Sequence, residues 1–282
     1  MENSQIYIPD EKKALGQSKQ VSQSKAMKHT PLKDQWQRHD WQVSPYAPDL
    51  RIVQALVAGK TASGAGFSRH DALMRCLGET AEILALNGGE SSEGLAAGPD
   101  FAFAAERALA ERLERWALWD WWHGRLLAQP VQADGLIAKL RQGALKTRDT
   151  SLWHLSGFPH IHVIVAFSIR SDSTHPILGF GAHTCPMNAA RSSLVELGLM
   201  ELNLRSPTDT LHRFFTRITK HRRRLFPPAN PTELEPVPQR QPLEAGVNFT
   251  FENRTPLACE LTVVKALVPA APRWAGSRGP LL

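Results

Sequence analysis

The sequence predicts a mixed α/β (α+β) fold in which helices cover β-sheets. Two kinds of segment support this prediction. Residues 69–86 and 101–122 carry apolar side chains at the period of an α-helix, whereas residues 161–168 form a β-branched run typical of a buried strand. Segments of both kinds occur along the chain, and its 282 residues are enough to bury a substantial core.

The N-terminal part predicts a polar arm, a strand, a glycine-bearing turn and a helix. Residues 1–48 are rich in Gln, Lys and Ser without a sustained period, so we expect a flexible arm there and one domain over 49–282. Residues 51–57 have strand character and lead into a Ser-Gly-Ala-Gly turn. The helix over 69–86 stops at an Asn-Gly-Gly sequence, and residues 90–99 are expected to form a loop.

The middle of the chain predicts two more helices and two strands. Four tryptophans crowd the end of the helix over 101–122, which favours a large aromatic core or a subunit contact. The strand over 161–168 is followed by a second apolar run, 176–183. A helix over 188–204 comes next, with Asn188 in the position of its N-cap.

The C-terminal part contains a basic block, a proline-rich loop and a last strand. Residues 227–242 carry six prolines without periodicity, which predicts an extended loop, and residues 260–268 predict a strand. The basic block, 219–228, is explained by a solvated helix end or by attraction to an acidic partner. No nucleic-acid-binding motif accompanies it, so we do not expect a nucleic-acid partner.

Composition excludes several classes of protein. The chain is 42% hydrophobic and 21% charged, with a formal net charge of +6. Its three cysteines are widely spaced without a CxxC pair, which argues against a disulfide framework or a thiolate zinc site. Because no apolar run is long enough to span a membrane and no secretory signal is evident, we expect a cytoplasmic protein that does not bind membranes.

Three acids are the main candidates for chemistry. Glu79 and Glu82 lie one helical turn apart, and Glu196 belongs to the later helix. If they converge, three carboxylates would suit a magnesium–nucleotide site, because that ion takes hard oxygen ligands and shares them with phosphates. The alternative is structural: Arg75 precedes Glu79 by one turn, so an exposed ion pair would explain that charge, and Glu196 would be a surface acid.

The glycine-bearing turn has two interpretations. Gly64 and Gly66 would let backbone amides approach an anion near a helix N-terminus. The turn lacks both the GK[ST] of a Walker motif and the third glycine of a dinucleotide fingerprint, so a tight connection from strand to helix is equally compatible. His160 and His162 would share one face of a strand, but no third metal ligand stands at a useful spacing.

Four segments, taken in order, resemble the YcaO family. The first, ASGAGFSRHDALMRCLGETAEILAL, is similar to the family's G-x-G, helix and ExxE signature. The second, AERALAERLERWALWDWWHGR, is similar to its second helix, where Glu-Arg and a tryptophan pair recur. IHVIVAFSI followed by GFGAHTCPMNAARSSLVELGLMEL resembles its strand and later Glu-bearing helix, and ELTVVKALVPAAPRW resembles its late strand. The resemblance covers roughly residues 55–280.

The resemblance implies ATP- and Mg2+-dependent modification of a ribosomally made peptide. A backbone amide oxygen would be phosphorylated, and loss of phosphate would give an azoline by cyclodehydration or, with an external sulfur source, a thioamide. It also implies that the nucleotide lies between two halves of the fold. The partners implied are a precursor peptide and a separate protein that binds its leader; a homodimer is also compatible.

The resemblance also implies roles for individual residues. Glu79, Glu82 and Glu196 would be the catalytic magnesium ligands. The residues beside the nucleotide would be Ser63, Gly64, Gly66, Ser68 and Arg75.

Three positions depart from the family pattern. Ile83 replaces the arginine that usually follows the second acid, and Leu199 replaces a glutamine three residues after Glu196. Arg75 occupies a position that is usually small. The chain also ends without the proline-rich tail that is common in azoline-forming members. These departures leave open an alternative, in which the chain is a catalytically silent subunit that binds peptide or scaffolds a peptide-modifying complex.

Overall fold

Three β-sheets covered by α-helices make up the part of the chain that our computed structural model describes, which is residues 31–86, 90–144, 148–204, 209–234 and 247–273. This architecture confirms the mixed α/β fold expected from the sequence. Within those ranges, no helix has both the length and the apolar character needed to cross a membrane.

The first sheet is antiparallel and contains β1 (Arg38–Ser44), β2 (Ala47–Val57) and β3 (Lys60–Gly66) in that order. The predicted arm is therefore wrong for its last part, since β1 and the start of β2 belong to the sheet. A short 3-10 helix, Leu32–Gln35, precedes β1, and the Trp36 indole N–H donates to the Thr80 hydroxyl at 2.9 Å. Residues 1–30 of the predicted arm lie outside the described residues.

The two glycines of the predicted turn lie in strand β3 instead. Helix α1 (Arg69–Ala85) packs directly on this strand. A Cβ atom at Gly64 would overlap the Ala72 carbonyl oxygen and lie 2.5 Å from the Cys76 backbone nitrogen. Close approach of helix and strand backbones thus explains this glycine, which is the structural interpretation that the sequence left open.

The second sheet has the order β10 (Thr250–Asn253), β11 (Thr262–Leu267) and β4 (Leu95–Gly98). The prediction of a loop over residues 90–99 is wrong for residues 95–98, which form β4 and are all buried. Helix α2 (Phe101–Trp122) has the predicted bounds and packs on β11 and β4. Its N-terminus is capped by Asp100, which accepts the Phe103 backbone N–H at 2.8 Å.

The third sheet carries most of the core. Its order is β8 (Ile177–His183), β7 (Ile161–Arg170), β6 (Arg148–Phe158), β5 (Ala128–Gln132) and β9 (Thr232–Glu233), and only the last pair is parallel. Strands β7 and β8 confirm the two predicted runs, whereas β5, β6 and β9 were not predicted. Residues 235–242 of the predicted proline-rich loop lie outside the described residues.

Helices pack on this sheet as well. Helix α4 (Pro186–Asn203) packs on β7 and β8, and helix α3 (Asp134–Arg141) contacts α4. Helix α4 begins two residues before the predicted N-cap because Pro186 suits the first helical turn, where no backbone N–H is required. Helix α5 (Asp209–Leu225) is followed directly by Phe226, whose ring lies 5.5 Å from that of Trp121 at the end of α2.

A buried charge cluster joins α3, α4 and the third sheet. Glu201 is fully buried and receives two hydrogen bonds of 2.8 Å from the Arg141 guanidinium. The Arg148 Nε atom lies 3.1 Å from the same carboxylate, and the Ser168 hydroxyl also donates to it. The cluster satisfies every oxygen of a carboxylate that would otherwise be costly to bury.

Candidate active site

A cavity of about 800 Å³ is lined by residues of α1, α2 and α4 together with β3, β4 and β8. The carboxylates of Glu79, Glu82 and Glu196 all line it, although Glu196 is more than one hundred residues away in sequence. The structure therefore brings together the three acids that the sequence singled out.

Glu79 is held by the first sheet. The Ser63 backbone N–H donates to its Oε2 atom at 2.5 Å, and burial raises the pKa of Glu79 to about 7. The structural alternative, an ion pair with Arg75, is not what the geometry shows. Arg75 also lines the cavity, and the acids whose charge acts on it are Asp71 and Glu196.

Glu82 is held by the second sheet. Its Oε1 atom accepts the Ala97 backbone N–H of β4 at 2.9 Å. Burial, together with the negative charge of Glu111, raises the pKa of Glu82 to about 8. The ExxE pair thus bridges two sheets, with one acid anchored on β3 and the other on β4.

Glu196 reaches the cavity from α4. The Phe180 backbone N–H of β8 donates to it at 3.2 Å. Burial raises the pKa of Glu196 to about 6, and the nearby charge of Arg115 limits the increase.

Helix α2 contributes acids and arginines that the sequence analysis did not select. Burial raises the pKa of Glu111, and burial raises that of Glu114 to about 8. Arg115 lies between them, 3.5 Å from Glu111 and 3.9 Å from Glu114. With Arg107 they occupy one helical face at spacings of four, seven and eight residues, a signal that was available in the sequence.

The glycine-bearing segment lies only partly at the cavity. Ser63 and Gly64 line it, but Gly66 and Ser68 do not. The Ser68 hydroxyl instead accepts the Asp71 backbone N–H at 3.0 Å and caps helix α1. Gly66 and Ser68 join β3 to α1, and their position beside a nucleotide stays a prediction.

The donor chemistry of the cavity fits a hard divalent cation. Its acids are carboxylates withdrawn from water, and their raised pKa values show that the folded protein gives their charges too little compensation. Within the described ranges, no group of three His, Cys, Asp or Glu side chains is close enough to form a ready-made metal cage. A cation held here would therefore need oxygen ligands from its own substrate or from water.

Two histidines of the third sheet, His154 and His162, do not line this cavity, whereas His183 of β8 does. The His162 Nδ1 atom is 3.4 Å from the His154 Nε2 atom. Burial lowers the pKa of His154 to about 4. Among the described residues, neither these two rings nor His160, which the sequence analysis paired with His162, belong to a group of three possible metal ligands.

Comparison with known proteins identifies the family. The sequence model of the family described as YcaO cyclodehydratase, ATP- and Mg2+-binding, matches residues 87–252, which is more than half of the chain. Comparison with curated protein sequences finds no significant relative.

Several solved structures share the fold. YcaO from Methanopyrus kandleri bound with AMPPCP and Mg2+ gives a TM-score of 0.67 at 16% identity, over 85% of this chain and 87% of that one. A heterocyclase in complex with substrate and cofactor gives 0.71 at 16% identity, over 86% of this chain and 50% of its own. The Escherichia coli microcin synthetase McbBCD complex with pro-MccB17 bound gives 0.58 at 11% identity, over 86% and 90%.

These comparisons agree with the observed fold. The family match also gives ATP and Mg2+ as the ligands, which are the two cofactors expected from the sequence. The chain belongs to the YcaO family.

Proposed function

We propose that this protein uses ATP and Mg2+ to activate a backbone amide of a ribosomally made peptide and so forms an azoline or a thioamide. The observation that carries the proposal is the convergence of Glu79, Glu82 and Glu196 on one cavity, joined there by acids of α2. Family membership supports the same reaction class. The cavity is also large enough for a nucleotide and a short stretch of peptide.

In this proposal the acids hold magnesium and the arginines face the phosphates. Glu79, Glu82 and Glu196 are the metal ligands, with Glu111 and Glu114 as further oxygen donors. When bound, ATP supplies a γ-phosphoryl group that turns the amide oxygen into a leaving group, and Mg2+ neutralises the charge that develops. Arg75 and Arg107 line the same cavity and offer guanidinium donors to phosphate oxygens.

In this proposal the nucleophile comes from the substrate. The chain itself therefore needs only to position the reacting groups and to remove water from them. In the azoline reaction, a Cys, Ser or Thr side chain of the peptide attacks the amide carbon, and the amide oxygen leaves as phosphate after accepting the phosphoryl group. In the thioamide reaction, an external sulfur donor supplies the attacking atom instead.

Calorimetric titration with MgATP tests the proposal. We expect saturable binding by the wild type and at least a tenfold loss in Glu79→Gln/Glu196→Gln, because this variant lacks two of the three carboxylates assigned as metal ligands. Glu233→Gln, on the exposed strand β9, is the matched control and should bind like the wild type. Equal binding by the double variant would refute the assignment of these acids.

Catalysis needs a second measurement. With a precursor peptide and a partner protein that binds its leader, we expect ATP hydrolysis to rise and the peptide to lose 18 Da per azoline, the mass of about one water. Loss of both signals in Glu79→Gln would support an active enzyme. The product mass also separates an azoline from a thioamide.

The second candidate function is a catalytically silent subunit that binds peptide. Leu199 favours it, because this apolar side chain lines the cavity where family members carry a glutamine. MgATP binding that Glu196→Ala leaves unchanged, with no turnover in any combination of partners, would select this candidate. Turnover that increases in Leu199→Gln would select the enzyme.

A further inference from the structure

Helix α5 presents a dense basic surface that the proposed reaction does not use. From Leu211 to Leu225 its sequence, LHRFFTRITKHRRRL, contains no acid. Its apolar side is buried through Phe214, Phe215 and Ile218. The exposed basic side chains form what we call the α5 basic face: His212, Arg213, Lys220, Arg222, Arg223 and Arg224.

The positive charge of this face is not neutralised within the described part of the chain. No carboxylate there forms an ion pair with Arg213, Lys220 or Arg223. Slight burial and the positive charges of Arg224, Lys220 and Arg217 lower the pKa of His221. An ordinary solvated helix would carry interspersed acids, whereas α5 has no acid after its first residue, Asp209.

Two arginines of α5, one of them in this face, lie against aromatic rings. The Arg217 guanidinium lies 5.1 Å from the ring centre of Trp122, and that of Arg222 lies 5.4 Å from the ring centre of Phe167. Because the aromatic side chains here are buried or covered, the face offers charge without an exposed ring on which a base could stack. That combination favours an acidic polypeptide over single-stranded nucleic acid.

We propose that the α5 basic face binds an acidic segment of the peptide substrate, outside the stretch that is modified. This inference rests on the proposed function for the identity of the peptide, but the binding itself does not require turnover. The attraction comes from a row of cations. Arg213 and Lys220 lie two turns apart on one side of the helix, with Arg224 one turn further.

The fold sets a minimum spacing between the two contacts. Arg217 of α5 lies over Trp122 of α2, and Arg115 of α2 lines the cavity. The seven helical residues from Arg115 to Trp122 span about 10 Å, a distance that needs at least about three residues of extended chain. An acidic segment should therefore stand at least about three residues from the modified residue of the substrate.

Binding of a labelled acidic peptide tests the surface directly. We would measure fluorescence anisotropy of fluorescein-labelled octaglutamate with the full-length protein, at low and at moderate salt. Arg213→Glu/Lys220→Glu/Arg223→Glu should weaken binding at least tenfold. Lys33→Glu/Arg38→Glu/Lys60→Glu, which reverses three exposed charges elsewhere and has the same net charge, should weaken it less than twofold.

Three results would overturn the inference. Equal weakening by both triple variants would show a general effect of net charge. An α5-dependent preference for an oligothymidylate of the same charge would assign the face to nucleic acid, and an α5-dependent preference for phosphatidylglycerol vesicles would assign it to lipid. MgATP titration of each variant shows that the cavity is intact, so loss of octaglutamate binding is distinguished from failure of the proposed function.

Discussion

Individual carboxylates of the cavity are buried, and burying their charge destabilises the unliganded fold. Burial raises the pKa of Glu82 to about 8, so at neutral pH the folded state holds a proton that an exposed glutamate would release. The Ala97 N–H fixes the orientation of this side chain without supplying a countercharge. In the proposed function, a bound divalent cation compensates this charge.

Glu82→Gln should therefore stabilise the unliganded protein while it weakens binding of MgATP. The glutamine oxygen can still accept the Ala97 N–H, but no charge has to be buried. Because the folded pKa is raised, the gain should be small near pH 5 and reach roughly 2–4 kcal/mol near pH 8.5. Urea unfolding at both pH values measures it, with Asp40→Asn on the exposed strand β1 as control. A destabilised variant at pH 8.5 would contradict the burial argument.

At the scale of elements, the site depends on backbone elements that approach closely. Helix α1 reaches the position that places Glu79 and Glu82 at the cavity because Gly64 leaves room on β3. Helix α4 does the same on β8, where a Cβ at Gly181 would lie 2.6 Å from the Ser193 backbone nitrogen. Small residues in two strands thus determine where the acids of two helices lie.

Gly64→Ala should destabilise the fold by about 3 kcal/mol, because the added methyl group meets the α1 backbone rather than a movable side chain. Gly135→Ala is the control: it lies in helix α3, where an added methyl group would have no other atom within 4 Å, so helix propensity should make it about 0.5–1 kcal/mol more stable. Thermal or urea unfolding compares the two. Equal stabilities would mean that α1 does not pack on β3 as described.

The charge cluster around Glu201 also acts at the scale of elements, because it joins α3, α4 and the third sheet. Glu201→Gln leaves Arg141 and Arg148 buried without their countercharge, so we expect a loss of about 3–5 kcal/mol. Asp120→Asn removes the partner of Arg125, whose side chain is 65% exposed, and should change stability by less than about 1 kcal/mol. The difference in urea midpoint between the two variants checks this. Similar midpoints would show that the buried cluster is not structural.

For the whole molecule, the cavity makes stability depend on pH and on the ligand. Burial raises the pKa of Glu79 to about 7 and that of Glu114 to about 8, so the folded state binds more protons than the unfolded state above the ordinary glutamate pKa. His154 acts in the opposite direction, because its pKa falls to about 4. Its contribution to stability grows between its folded and unfolded pKa values and is complete above the latter.

The carboxylates should therefore dominate above the ordinary histidine pKa of about 6.5. In the unliganded protein we expect the melting temperature to fall from pH 6.5 to pH 8.5, and MgATP to reverse the fall with release of protons. Calorimetry in two buffers of different ionisation enthalpy counts those protons. Glu79→Gln/Glu82→Gln should flatten the pH profile. A wild-type melting temperature that rises over this range would contradict the argument that ionisation of the buried acids destabilises the unliganded protein.

More of the fold than of the candidate site could be predicted from the sequence. Periodicity alone gave α2 its observed bounds and indicated β7 and β8, because long regular segments record which side is buried. Periodicity did not indicate β4, which is only four residues long. It also did not indicate β1, whose mostly exposed residues show no clear alternation. Short and edge strands depend on partners that are distant in sequence.

What the sequence by itself determined is a pair of acids at helical spacing, Glu79 and Glu82, a third acid in a later helix, and a resemblance to a family that binds ATP and Mg2+. Only the tertiary structure decided that Glu196 lines the same cavity as the ExxE pair, that Glu111 and Glu114 join them, and that Gly66 and Ser68 serve the β3–α1 connection. The physical reason is that spacing fixes which face of one helix a side chain occupies, whereas the packing of sheets and helices fixes which faces meet.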